Sequence, residues 1–136
     1  MSRDWYRGLF VVAALYDGLL GLAFFFGWRF VFDLFQVTPP NHGGYVQFSA
    51  ALLMLFGLLF LRIARDPVGN RDLIPYGMGL KVAYCGLVFW YQATAGIPFM
   101  WVPFAWLDVA FLAAFIVVWR GLAEPARVRG AAAARA

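Results

Sequence analysis

Charge is scarce in this chain, and histidine and cysteine are nearly absent. Charged residues make up 13% of the sequence, where a soluble domain carries about 25%. Hydrophobic residues make up 64%, and a soluble chain of this size has no interior large enough to hide them. His42 is the single histidine, so no histidine-based metal or haem site can be built within this chain alone, and no metal site is expected. Cys85 is the single cysteine. An intramolecular disulfide is therefore excluded, and in its apolar setting Cys85 reads as a small packing residue rather than a reactive thiol. No P-loop, dinucleotide fingerprint, zincin motif or serine elbow is present. The net charge of +4 contains no basic patch interleaved with exposed aromatics, so nucleic acid is not an expected partner.

What the chain has instead is long apolar runs. Gly8 to Trp28, Tyr45 to Leu61, Leu73 to Gln92 and Pro103 (or Pro98) to Trp119 each qualify as a membrane span. At about 1.5 Å per residue they reach roughly 25 to 32 Å, matching a hydrocarbon core of about 30 Å. The fold class expected is all-α: a membrane-embedded four-helix bundle over residues 1–123, followed by a flexible cytoplasmic tail over residues 124–136. The first run is too long for a signal peptide, and Phe24 to Phe32 offers no small-residue cleavage site, so it reads as a retained helix.

Basic residues give the orientation. Arg3 and Arg7, then Arg62, Arg65 and Arg71, then Arg120, Arg127, Arg129 and Arg135 flank the spans on one side. The other side has Arg29 alone, and the loop from Thr94 to Val102 has no charge. By the positive-inside rule both termini are cytoplasmic. Trp5, Tyr6, Tyr76 and Trp119 then mark inner ends, and Trp28, Tyr45, Trp90, Tyr91 and Trp101 mark outer ends.

The connectors carry local signals. Asp72 is placed to N-cap the third helix, with Pro75 in its first turn. Asp66-Pro67 and Gly69-Asn70 predict a tight turn. After the first span, Trp28, Val31, Phe32 and Phe35 recur at i, i+3, i+4, i+7, with Arg29, Asp33 and Gln36 on another face. This predicts a short helix at the outer interface, either a plain connector or a lid over the bundle, ended by Pro39-Pro40.

Asp17, Lys81 and Asp108 each stand alone inside an apolar span. Counted from the cytoplasmic ends, all three lie roughly 12 to 17 Å deep, near the midplane. A charge there costs at least about 2.5 to 3.5 kcal/mol unless it faces a partner, a cavity or a pathway. Lys81 is too deep to snorkel to the headgroups, so pairing with an aspartate is the economical arrangement. Helical periodicity supplies the surroundings. Ala13, Asp17 and Gly21 form a small-residue stripe with Ala14 and Gly18 beside it, and Gln47, Ala50, Ala51, Met54 and Gly57 form another. Tyr84, Cys85 and Tyr91 share the Lys81 face, so Tyr84 and Tyr91 are candidate supporting residues whose hydroxyls can help hold the ammonium, and Gln47, nearer the outside, is a third supporting residue.

The segments Leu15-Tyr16-Asp17-Gly18, Tyr45-Val46-Gln47, Arg65-Asp66-Pro67, Gly79-Leu80-Lys81 and Trp106-Leu107-Asp108 resemble a group of small uncharacterised bacterial four-helix membrane proteins, broadly DoxX-like in architecture. The resemblance spans about residues 5–120 and implies the four-span fold and the bacterial cytoplasmic membrane, with no established reaction. In that group the position of Asp17 is often Asn, which implies that Lys81 and Asp108 form the more essential pair.

Two readings of the trio follow. It is a structural ion pair with one extra acid, or a site in which two carboxylates share a titrating proton beside one lysine. The second suits the binding or handling of a small amphiphile, quinone-like or lipid-like. An accessory subunit of a larger membrane complex, a homo-oligomer, a small intramembrane enzyme and a proton-coupled transporter stay open. No cofactor is indicated by any motif.

Overall fold

The structure, a computed structural model, describes residues 3–134. Arg135, one of the basic residues used for orientation, lies outside the described residues. Those residues form five α-helices and no strand: α1 (Arg3–Leu34), α2 (Gly44–Arg65), α3 (Ile74–Ala93), α4 (Val102–Gly121) and α5 (Ala123–Ala133). Among them α1 to α4, two extended by a 3-10 turn, are long and apolar enough to cross a membrane.

The first helix runs further than the apolar pattern predicts. It continues past Trp28 to Leu34, but Gly27 leaves helical geometry (φ −115°, ψ 16°), so residues 28–34 follow a kink. The short segment predicted after the first span is therefore helical and joined to α1. Trp28, Val31 and Phe32 pack with Phe24, Ala50 and Met100, whereas Phe35 stays exposed. The helix ends at Gln36, which takes a left-handed backbone (φ 53°), and Val37 N–H returns to the Phe32 carbonyl at 2.9 Å. This is a Schellman-type stop, made here without the usual glycine.

Helix starts differ in detail from the pattern. Asp72 does not cap α3: it lies inside a 3-10 turn (Arg71–Leu73), and α3 starts after Leu73 with no side-chain cap. Asn70 serves the preceding helix instead: its Nδ2 donates to the Arg62 and Asp66 carbonyls at the C-terminal end of α2, at 3.1 and 3.0 Å. Neither Pro98 nor Pro103 alone starts α4. Pro98 precedes a second 3-10 turn (Phe99–Trp101), and Pro103 occupies the first turn of α4, where its missing N–H has no intrahelical partner to lose. Most of the segment expected as a tail, residues 124–136, lies in α5, in keeping with its alanine content, and Arg129 pairs with Asp66 at 2.5 Å. That pair is half exposed and adds little stability.

Packing is uneven around the molecule. α1 lies closely along α2, and α3 along α4, while α2 and α3 touch little despite being consecutive. Small residues explain the first pairing: a Cβ on Gly21 would come 2.7 Å from the Ala50 carbonyl, and one on Gly57 would come 3.1 Å from that of Ala14. The two predicted stripes thus meet each other, and backbones approach where side chains are smallest. At one end, all four helices close on Phe10, Phe60 and Phe115, whose ring centroids lie 5.0, 5.2 and 6.2 Å apart, with Ile63, Ile74 and Val118 around them. Arg71 clasps the same end, stacking 4.4 Å from the Trp119 ring centre and donating Nε–H to the Trp119 carbonyl at 2.8 Å.

Candidate functional site

Three helices deliver one charge each to a single point. Asp17 from α1, Lys81 from α3 and Asp108 from α4 meet with relative exposures of 1%, 0% and 5%. Lys81 Nζ donates to both oxygens of Asp17, at 2.8 and 2.9 Å. Asp108 Oδ1 also comes within 2.9 Å of Nζ, but it is buried and accepts no hydrogen bond. The three residues singled out by their isolation in sequence are therefore together. Their ranking differs from the one the resemblance implied: Asp17 holds the ammonium by two hydrogen bonds, whereas Asp108 meets it at ion-pair distance.

Aromatic rings complete the ammonium's surroundings. Nζ lies 5.1, 5.5 and 5.9 Å from the ring centres of Tyr16, Phe111 and Phe60. A cation held against ring faces away from water gains additional electrostatic stabilisation. Sequence reasoning missed these three. The only available signal was that Tyr16 adjoins Asp17 and that Phe111 stands three residues after Asp108 on the same helix.

The supporting residues do not serve as predicted. Tyr84 O–H donates to the Trp101 carbonyl at 3.0 Å, tying α3 to the start of α4. Gln47 Nε2 donates to the Phe25 carbonyl at 3.2 Å and so joins α2 to α1. Tyr91 is about half exposed. The Tyr84 and Gln47 donors are thus engaged by backbone carbonyls and not turned to the ammonium. Cys85 is buried with Sγ 3.2 Å from the Ala105 carbonyl, in the packing role its setting suggested.

Sparse contact between α2 and α3 leaves a cleft of about 580 Å³. Asp17 and Asp108 line its inner end; Lys81 is not part of the lining. Its walls are largely apolar, with Leu53 from α2 and Leu87 from α3 among them, and the exposed Tyr45 and Tyr91 also border it. From Tyr45 to Leu53 the cleft follows α2 for about 12 Å at about 1.5 Å per residue. A mostly apolar hollow of this size with a few convergent polar groups is the form that small-molecule sites take. Among the described residues no cluster of histidine, cysteine or carboxylates could hold a metal ion.

The chain matches none of the protein-family models, curated proteins or solved structures with which it was compared.

Proposed function

We propose that this chain is a multi-pass protein of the bacterial cytoplasmic membrane, and that it binds a small quinone-like or lipid-like amphiphile in the cleft between α2 and α3. One observation carries the reading. An apolar cleft of about 580 Å³ ends on the carboxylates of a buried ion cluster. A site built only to fix helix register needs the cluster and not the hollow in front of it. Apolar walls suit a hydrocarbon chain, and the acids at the inner end suit its polar head. Leu52 and Leu87 are exposed beside the cleft, so a ligand reaches it sideways from the bilayer and not through the water phase.

In this setting the helices form a four-span bundle with residues 28–34 at the outer surface and both termini in the cytoplasm. The concentration of arginines before α1, around the α2–α3 turn and after α4 supports that orientation. Reporter fusions at Asn70 and at Gly96 are expected to report opposite sides of the membrane, with Asn70 inside; an outer location for Asn70 would overturn the orientation.

The ligand reading is tested by narrowing the cleft from either wall. Ala83→Trp on α3 and Leu53→Trp on α2 each add bulk to the lining without touching the ion cluster. Protein extracted in mild detergent and analysed by mass spectrometry of its organic extract is expected to carry a stoichiometric lipid or quinone in the wild type. Both variants should lose most of it while keeping their folded fraction. Equal content in wild type and both variants would remove the cleft as the binding site.

A further inference from the structure

We infer that the cleft selects ligands whose polar end donates hydrogen bonds, a hydroxyl or an ammonium group, and rejects anionic heads and heads that only accept. This rests on the reading of the cleft as a ligand site and adds the chemistry of what enters it.

The inference comes from which residues of the cluster line the hollow. Lys81 is the cationic member, and it is fully buried behind the lining, with two N–H bonds directed at Asp17. Asp17 and Asp108 are the members that line the cleft. An ionised carboxylate has acceptor sites and no donor. Asp108 in particular is held by Lys81 through a single oxygen, Oδ1 at ion-pair distance of 2.9 Å, without the pair of hydrogen bonds that Asp17 accepts, in a residue only 5% exposed. With one ammonium and two carboxylates the cluster carries a formal surplus of negative charge when both acids are ionised. No arginine lines the cleft to offset it.

Two of the hydroxyls on the walls are already engaged. The Ser49 and Tyr84 hydroxyls donate to the Tyr45 and Trp101 carbonyls, at 3.1 and 3.0 Å. A carboxylate or phosphate head would therefore bring like charge against Asp108 in a poorly screened site. A carbonyl head would leave a buried acceptor unmatched, which is costly away from water. A hydroxyl satisfies Asp108, and an ammonium both satisfies it and balances the surplus charge. Of a quinone and its reduced form, only the reduced quinol, with its hydroxyls, meets this requirement.

The test uses four labelled probes of one alkyl chain length: a primary alcohol, a primary amine, a carboxylate and a methyl ester. Their retention is measured by protein in nanodiscs of zwitterionic lipid, against empty nanodiscs. The alcohol and the amine are expected to bind about tenfold or more tightly than the ester and the carboxylate, the discrimination a charged hydrogen bond supplies. Asp108→Asn, which keeps the shape and an acceptor oxygen, should weaken amine binding selectively and spare the alcohol. Retention of the ester or the carboxylate as strong as that of the alcohol would overturn the donor requirement and leave the cleft reading standing. Unchanged amine preference in a folded Asp108→Asn protein would equally overturn it. No retention of any probe would overturn both the donor requirement and the cleft reading. The wild-type series alone decides the matter if the variant does not fold.

Discussion

Lys81→Met is expected to lower the folded fraction more than any other single replacement, by about 3 to 5 kcal/mol before proton uptake. The lysine holds two carboxylates, one through a pair of hydrogen bonds and one at ion-pair distance, and all three groups are shielded from water. Methionine fits the space and removes the only cation, leaving both acids uncompensated. Relief then requires that they bind protons or that the helices part. Adding Asp17→Asn and Asp108→Asn to Lys81→Met should recover much of the loss, since a neutral set of similar shape no longer needs a counter-ion. Denaturant titration of the purified protein in mild detergent measures each variant. Costs that simply add, with no recovery in the combined variant, would show that the three groups act independently.

Asp17 is expected to matter more for stability than Asp108. Asp17→Ala removes the bidentate acceptor of Lys81 and leaves the ammonium with Asp108, whose contact lacks hydrogen-bond geometry. A loss of about 3 kcal/mol is expected, against less for Asp108→Ala. The order is the reverse of the one implied by the resemblance, in which the Asp17 position is often Asn. Asp17→Asn should cost far less than Asp17→Ala, because its amide oxygen still accepts a bond and Asp108 still balances the charge. Its informative readout is ligand content. If the cluster handles a head group or a proton, Asp17→Asn should keep a near-normal folded fraction while the co-purifying molecule changes in amount or in its dependence on pH. Unchanged content across pH, with normal folding, would mark Asp17 as purely structural.

How far the sequence could be read depended on what each signal encodes. Apolar run length located α1 to α4, because a span of about 17 or more apolar residues has few other uses. Isolation within those runs identified Asp17, Lys81 and Asp108, since an unpaired charge in such a setting is too costly to leave alone. Small-residue stripes matched Gly21 and Gly57 to their places against α2 and α1. Periodicity assigns a face, however, and leaves the rotation about the helix axis loose by tens of degrees. That looseness is why the pattern turns the Tyr84 hydroxyl toward the ammonium when it bonds the Trp101 carbonyl instead. It also hid the difference between the two aspartates, which turns on the direction of an N–H bond. The cleft itself had no sequence signal, because it arises from contacts that α2 and α3 do not make. α1 passed its predicted end because Trp28, Val31 and Phe32 found partners across the molecule, and local pattern does not see those partners.

The burial of Lys81 makes the protein its own chemical clock. It is the only lysine in the sequence and has no exposed surface, so an acylating reagent offered to the folded chain meets no side-chain amine. Any Nζ adduct must form during an excursion in which the ammonium leaves Asp17 and sheds its proton. The speed at which that adduct accumulates at limiting reagent counts those excursions directly, in lipid, without denaturant and without an assay for the ligand. An amphiphile seated against the two acids would slow the clock, which turns a silent ion cluster into a gauge of occupancy.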